Sequence, residues 1–125
     1  MHADGAPAAI GPYSHAVVSN GLLFCSGQIP LDPESGELVD GGAGAQARRC
    51  LENLNAVCEA AGARLEHALR LTVYCTDLAD DWQEINEAYA AFFPDEGAPA
   101  RAAIGVAALP RGARVEIDAV VALPD

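Results

Sequence analysis

The sequence predicts an α+β fold in the order β-β-α-β-α-β-β, a single mixed sheet with two helices packed on one of its faces. Three observations carry that reading. Asn20-Gly21 stands between two short apolar runs, the pattern of a tight hairpin. From about Ala43 the apolar residues recur every three or four positions, which is the period of a helix. From Leu69 they recur every second position, which is the period of a strand with one buried face. The chain has 125 residues, half of them hydrophobic, so one domain spanning 1–125 with a sizeable core is expected.

Residues 1–12 are mostly small, with Pro7, Gly11 and Pro12, and read as an extended arm ending in a turn. The hairpin follows, at roughly 15–19 and 22–27. Five prolines and glycines among acids make 29–42 a loop, and Asp32-Pro33-Glu34-Ser35-Gly36 has turn chemistry. Ala47, Cys50, Leu51, Leu54, Cys58 and Ala61 line a long amphipathic helix, with Gly62 as its stop. Leu69, Leu71, Val73 and Cys75 then alternate with Arg70, Thr72, Tyr74 and Thr76 as a strand. A second helix is expected from about Asp81, which pairs with Glu84 as a capping box. Trp82, Ile85, Tyr89, Phe92 and Phe93 line one face of it; Pro94 ends it and Asp95-Glu96-Gly97 makes a loop. Pro99 and Pro110 bracket the next strand, at about 100–107. Alternation puts Ala102, Ile104, Val106 and Ala108 on one face and Arg101, Ala103, Gly105 and Ala107 on a nearly bare one. Arg111-Gly112 turns the chain into a last strand at about 113–122, giving a hairpin at each end. The sheet face away from the helices is expected to offer Ala, Gly and Thr, and to meet another subunit.

Composition narrows the function. Eighteen acids against seven cations, all arginine, give a net charge of −11. Such a surface repels phosphate backbones and disfavours nucleic acid as a partner. No apolar run approaches the length of a membrane span and no basic leader opens the chain, so a cytoplasmic protein is expected. Cys25, Cys50, Cys58 and Cys75 form no C-x-x-C pair and fall in apolar patterns, so they read as small buried hydrophobes, with no metal or cofactor implied. No phosphate-cradling loop, G-x-S-x-G or paired-carboxylate spacing is present.

Arg101 is the candidate anion ligand. Its planar fork grips a carboxylate with two parallel hydrogen bonds, and the bare strand face leaves room in front of it; the alternative is a surface arginine at a strand start. Glu116 is either an exposed edge-strand charge or a partly shielded carboxylate that steers water and exchanges a proton. If the last two strands pair, the two residues share one region. Tyr13 and Ser26 offer hydroxyls in loops, where each alone reads as a turn or packing residue. Trp82 reads as core or interface, and Asn86 sits one position off the apolar stripe. His15 and His67 have no evident partner.

At these residues the chain resembles the RidA (YjgF) family. The resemblance is carried by Ile10-Gly11-Pro12-Tyr13-Ser14, Phe24-Cys25-Ser26-Gly27-Gln28-Ile29-Pro30, Ala60-Ala61-Gly62, Asn86, Tyr89, Phe92-Phe93, Pro99-Ala100-Arg101, Leu109-Pro110 and Val115-Glu116-Ile117, and spans nearly the whole chain. It implies a chorismate-mutase-like α+β fold and a homotrimer with sites in the clefts between subunits. It implies hydrolysis of 2-imino acids, or their enamine tautomers, to 2-oxo acids and ammonia, the imines being shed by pyridoxal-phosphate enzymes. By position, Arg101 would bind the substrate carboxylate and Glu116 lie near the attacking water. Tyr13, Ser26, Gly27 and Ala103 would line the pocket with Asn86 and Trp82. His15 stands where many members have glutamine, and Ala103 where some have cysteine, so no thiol acts there. Two rivals accompany the resemblance: a non-catalytic or regulatory trimer that binds small carboxylates, and an RNA-cleaving translation inhibitor, which the charge of −11 disfavours.

Overall fold

A computed structural model describes residues 1–93 and 96–124. Strands β1 (Ala16–Ser19) and β2 (Leu22–Gln28) form the first hairpin. Asn20 and Gly21 both take positive φ, 51° and 77°, as the tight turn requires. Helix α1 (Ala43–Ala60) ends where Gly62, at φ 80°, lets its amide donate back to the Glu59 carbonyl. Strand β3 (Ala68–Cys75), helix α2 (Leu78–Ala90), strand β4 (Ala100–Gly105) and strand β5 (Val115–Ala122) complete the order expected from the sequence. Pro94 and Asp95 lie outside the described residues, so the expected helix stop and the start of its loop fall there.

The five strands run in the order β1-β2-β5-β3-β4. Only β3 and β4 are parallel; every other neighbouring pair is antiparallel. The sheet is therefore mixed, with α2 as the crossover between its parallel strands. The expected hairpin between the last two strands is not formed, because β3 lies between β4 and β5. The pattern of β5 explains its central place: Val115, Ile117, Ala119 and Val121 are buried and the residues between them half-buried. Strand β4, built of small residues, is the exposed edge.

Both helices cover one face. Leu23, Leu71, Val73, Ile117 and Val121 of the sheet meet Cys50, Leu51, Leu54 and Val57 of α1 and Ile85 of α2, all fully buried. Three expectations are corrected. Helix α2 starts at Leu78, with Asp77 as the cap: its carboxylate accepts from the Asp80 amide at 3.3 Å. Asp81 lies one turn inside, its side chain 5% exposed, and forms a two-point ion pair with Arg114 at 2.6 and 3.2 Å. Leu69 is half-exposed, because a register shift between Ala68 and Arg70 turns it away from the core. The other sheet face carries large side chains as well as small ones: Val17, Phe24 and Ile104 are 58%, 46% and 43% exposed there, beside Thr72, Tyr74, Glu116 and Asp118.

Candidate active site

The sequence-selected residues gather into two groups, and the sheet separates them. Paired residues on neighbouring strands share a face. Arg101 pairs with buried Leu71 and so points to the helix side; Glu116 pairs with Tyr74 and points to the other. With β3 between their strands, the two lie about 9–10 Å apart laterally before any offset along the strands. The expectation that they meet within one chain is thus corrected.

The first group builds a hollow of about 360 Å³ walled by Tyr13, Ser26, Gly27 and Glu116, with Ile10, Ile29 and Pro110 among its apolar sides. The register of β2 breaks between Cys25 and Gln28, and the bulge presents Ser26 and Gly27 to the hollow. Ser26 is fixed there: its hydroxyl donates to the Ser14 carbonyl at 2.7 Å and its amide to the His15 carbonyl at 2.9 Å. Gly27 has a steric reason, since a Cβ on it would land on the Glu116 carboxylate. The carboxylate lies directly against the main chain. Burial pushes the Glu116 carboxyl above its usual range, and the nearby Asp118 carboxylate adds to the shift. Asp118 in turn accepts from the Tyr74 hydroxyl at 3.0 Å.

The second group is a rack for one guanidinium. Trp82, Asn86 and Tyr89 stand at positions i, i+4 and i+7 of α2, hence on one stripe. The Arg101 carbon Cζ sits 4.8 Å from the Trp82 ring centre and 4.7 Å from that of Tyr89. One terminal nitrogen donates to Asn86 Oδ1 at 2.8 Å. Among the described residues Asn86 is its only hydrogen-bond partner, so the remaining donors face outward from an exposed residue. A hollow of about 390 Å³ adjoins it, lined by Asn86, Tyr89, Phe93 and Pro99. The bare strand face has a cause too: α2 packs close, Leu78 lying 3.6 Å from where a Cβ on Gly105 would be. Ala103 shares that face but lines neither hollow. Sequence reasoning missed Tyr89 as a support of Arg101, although it lies seven residues from Trp82. It also missed Asp118, although it lies two residues from Glu116 on the same strand face.

A mixed five-stranded sheet with two helices on one face is a chorismate-mutase-like fold. The family profile described as Endoribonuclease L-PSP matches residues 3–123. Protein DfrA of Myxococcus xanthus is 52% identical over 122 residues, covering 96% of this chain and 92% of that one. A mouse protein named 2-iminobutanoate/2-iminopropanoate deaminase is 48% identical over 115 residues, covering 92% and 84%. The crystal structure of RidA from an Antarctic Psychrobacter superposes with a TM-score of 0.91 at 43% identity, covering 98% of each chain. The chain belongs to the RidA (YjgF) family.

Proposed function

We propose that this protein hydrolyses 2-imino acids, and their enamine tautomers, to 2-oxo acids and ammonia. The observation that carries the reading is the state of Arg101. In a chain of net charge −11, one guanidinium is held between two rings and an amide, and among the described residues its other donors have no hydrogen-bond partner. That is an anchor for a small carboxylate, and its orientation costs little on binding. The name of the mouse relative supports the imine as the group attached to that carboxylate.

The separation of the two groups in one chain favours sites shared between copies. In a homotrimer, Arg101 of one subunit would face the hollow of Tyr13, Ser26, Gly27 and Glu116 on the next. The exposed Val17, Phe24 and Ile104 supply an apolar surface for that contact. Asn86 and Trp82 then serve as positioning residues for Arg101, and Ala103 flanks the cleft.

The chemistry needs little more. The carbon of a protonated imine is already electrophilic, so positioned water suffices. Water adds to C2 while Glu116 takes its proton, giving a 2-amino-2-hydroxy acid. Glu116 returns the proton to nitrogen, the C–N bond breaks as C=O forms, and ammonia leaves with the hydroxyl proton as ammonium. A carboxyl raised by burial holds its proton more readily than an exposed one, which suits it to take the proton and give it back. The test couples the purified protein to a pyridoxal-phosphate dehydratase and follows 2-oxo acid release. The protein should accelerate release, and Arg101→Ala should lose most of that acceleration, roughly the 10²-fold or more expected for a misplaced substrate. Equal release with and without protein refutes the reading.

A further inference from the structure

Glu116 and Asp118 are a pair of carboxylates of which one has a hydrogen-bond donor and the other has none. They stand two residues apart on β5, so both leave the open face of the sheet, about 7 Å from each other along the strand. Tyr74 of β3 lies directly opposite Glu116 in the register, and Thr72 opposite Asp118. The Tyr74 side chain nevertheless reaches along the diagonal, and its hydroxyl donates to Asp118 Oδ2 at 3.0 Å. Among the described residues Glu116 receives no hydrogen bond and meets no cation.

The other neighbours of Glu116 leave that imbalance in place. On β2, Gly27 has no side chain to offer, and Ser26 gives its hydroxyl to the Ser14 carbonyl. Tyr13 shares a wall of the hollow. From α1, Cys50 lies on the helix side of the sheet, its thiol pushed up by burial and then by the Glu116 charge. The arginines flanking β5 are committed elsewhere: Arg114 to Asp81, and Arg111 to the Gly36 carbonyl at 3.2 Å. Arg101 points to the opposite face. Tyr74 stays a neutral donor, because burial and then the bond to Asp118 push its hydroxyl above the usual range. Asp118 is therefore the like charge that Glu116 feels.

We propose that Asp118, pinned by the Tyr74 hydroxyl, is a positioning residue that steers the exchangeable proton of the pair to Glu116. Two carboxylates side by side resist being charged together, and a hydrogen bond favours the charged form of the one that accepts it. Asp118 thus keeps the charge and Glu116 takes the proton. Acids whose surroundings differ in this way divide the work of acid and base between them. In the proposed hydrolysis the proton lost by water must land on Glu116 before it passes to nitrogen, and a fixed negative neighbour favours that landing. The effect on rate rests on the proposed imine hydrolysis; the steering of the proton does not.

Asp118→Asn removes the charge and keeps the shape. Carboxyl ¹³C shifts of the full-length chain follow the titration of Glu116 whether or not imines are hydrolysed. The acid limb of kcat/KM for imine hydrolysis, measured over the same pH range, follows the base of the free enzyme. In Asp118→Asn the Glu116 midpoint should move to lower pH, and the acid limb should move with it. Tyr74→Phe unpins the Asp118 carboxylate, which can then turn toward water, and should move both the same way by less. A Glu116 midpoint that stays in place in Asp118→Asn, or moves to higher pH, overturns the steering. If Asp118→Asn does not fold, Tyr74→Phe decides, and an unmoved midpoint there overturns it. A midpoint that moves while the acid limb stays upholds the steering and refutes Glu116 as the base of the proposed hydrolysis.

Discussion

Gly27 and Glu116 act as a single chemical unit. The bulge in β2 brings the main chain so close to the carboxylate that no side chain fits between them. Gly27→Ala should therefore displace the carboxylate instead of merely crowding it. Overpacking of this kind costs about 1–3 kcal/mol, readable by chemical denaturation, and the imine-hydrolysis rate should fall with it. Glu116 also leaves a signature on stability. Its carboxyl is raised by burial and then by Asp118, so between the ordinary value of 4.5 and the raised one the folded chain holds a proton that the unfolded chain has released. Stability from this group consequently falls as pH rises through that window, the reverse of a salt-bridged acid. Glu116→Gln should be at least as stable as the parent above the window and should flatten the pH dependence across it, as denaturation at a series of pH values would measure.

At the scale of elements, α2 has two duties, and its sequence shows only part of one. Trp82, Asn86 and Tyr89 recur at helical spacing, but that spacing reads equally as a core face, so the stripe is legible and its hold on Arg101 is not. The hairpin was plain, because only a few residue pairs accept two positive φ values in succession, and Asn20-Gly21 is one. The other duty of α2 was hidden. Asp81 looks like a helix cap in sequence, but its partner Arg114 is 33 residues away at the start of β5. Sheet order was hidden for the same reason: a short turn at Arg111-Gly112 suggests that β4 and β5 pair, and nothing local reveals that β3 sits between them. Local patterns report backbone conformation and burial, whereas pairing is decided by which strand can be buried on both faces. The ion pair makes a directional prediction. Arg114→Ala leaves a carboxylate 5% exposed without its cation, while Asp81→Ala leaves an arginine already 43% exposed and free to reach water. Arg114→Ala should thus be the more destabilising, by about 3 kcal/mol against about 1 for Asp81→Ala, in urea denaturation curves.

For the whole molecule, the sheet itself forces the argument beyond one chain. It puts Arg101 on the helix side and Glu116 on the open side, so the proposed reading places a substrate that touches both between copies. A homotrimer with one site per interface makes an arithmetic prediction. Arg101→Ala and Glu116→Gln subunits should each be inactive alone, because every site lacks one partner. Mixed in equal amounts, unfolded and refolded together, they should assemble at random. A site works when its arginine-side subunit is the Glu116→Gln chain and its carboxylate-side subunit is the Arg101→Ala chain, which happens for about a quarter of sites. Recovered imine-hydrolysis activity near one quarter of the parent, measured on the trimer fraction from size exclusion, therefore reads out shared sites. Sites contained within one chain would recover nothing at any mixing ratio, because no single subunit in the mixture carries both residues.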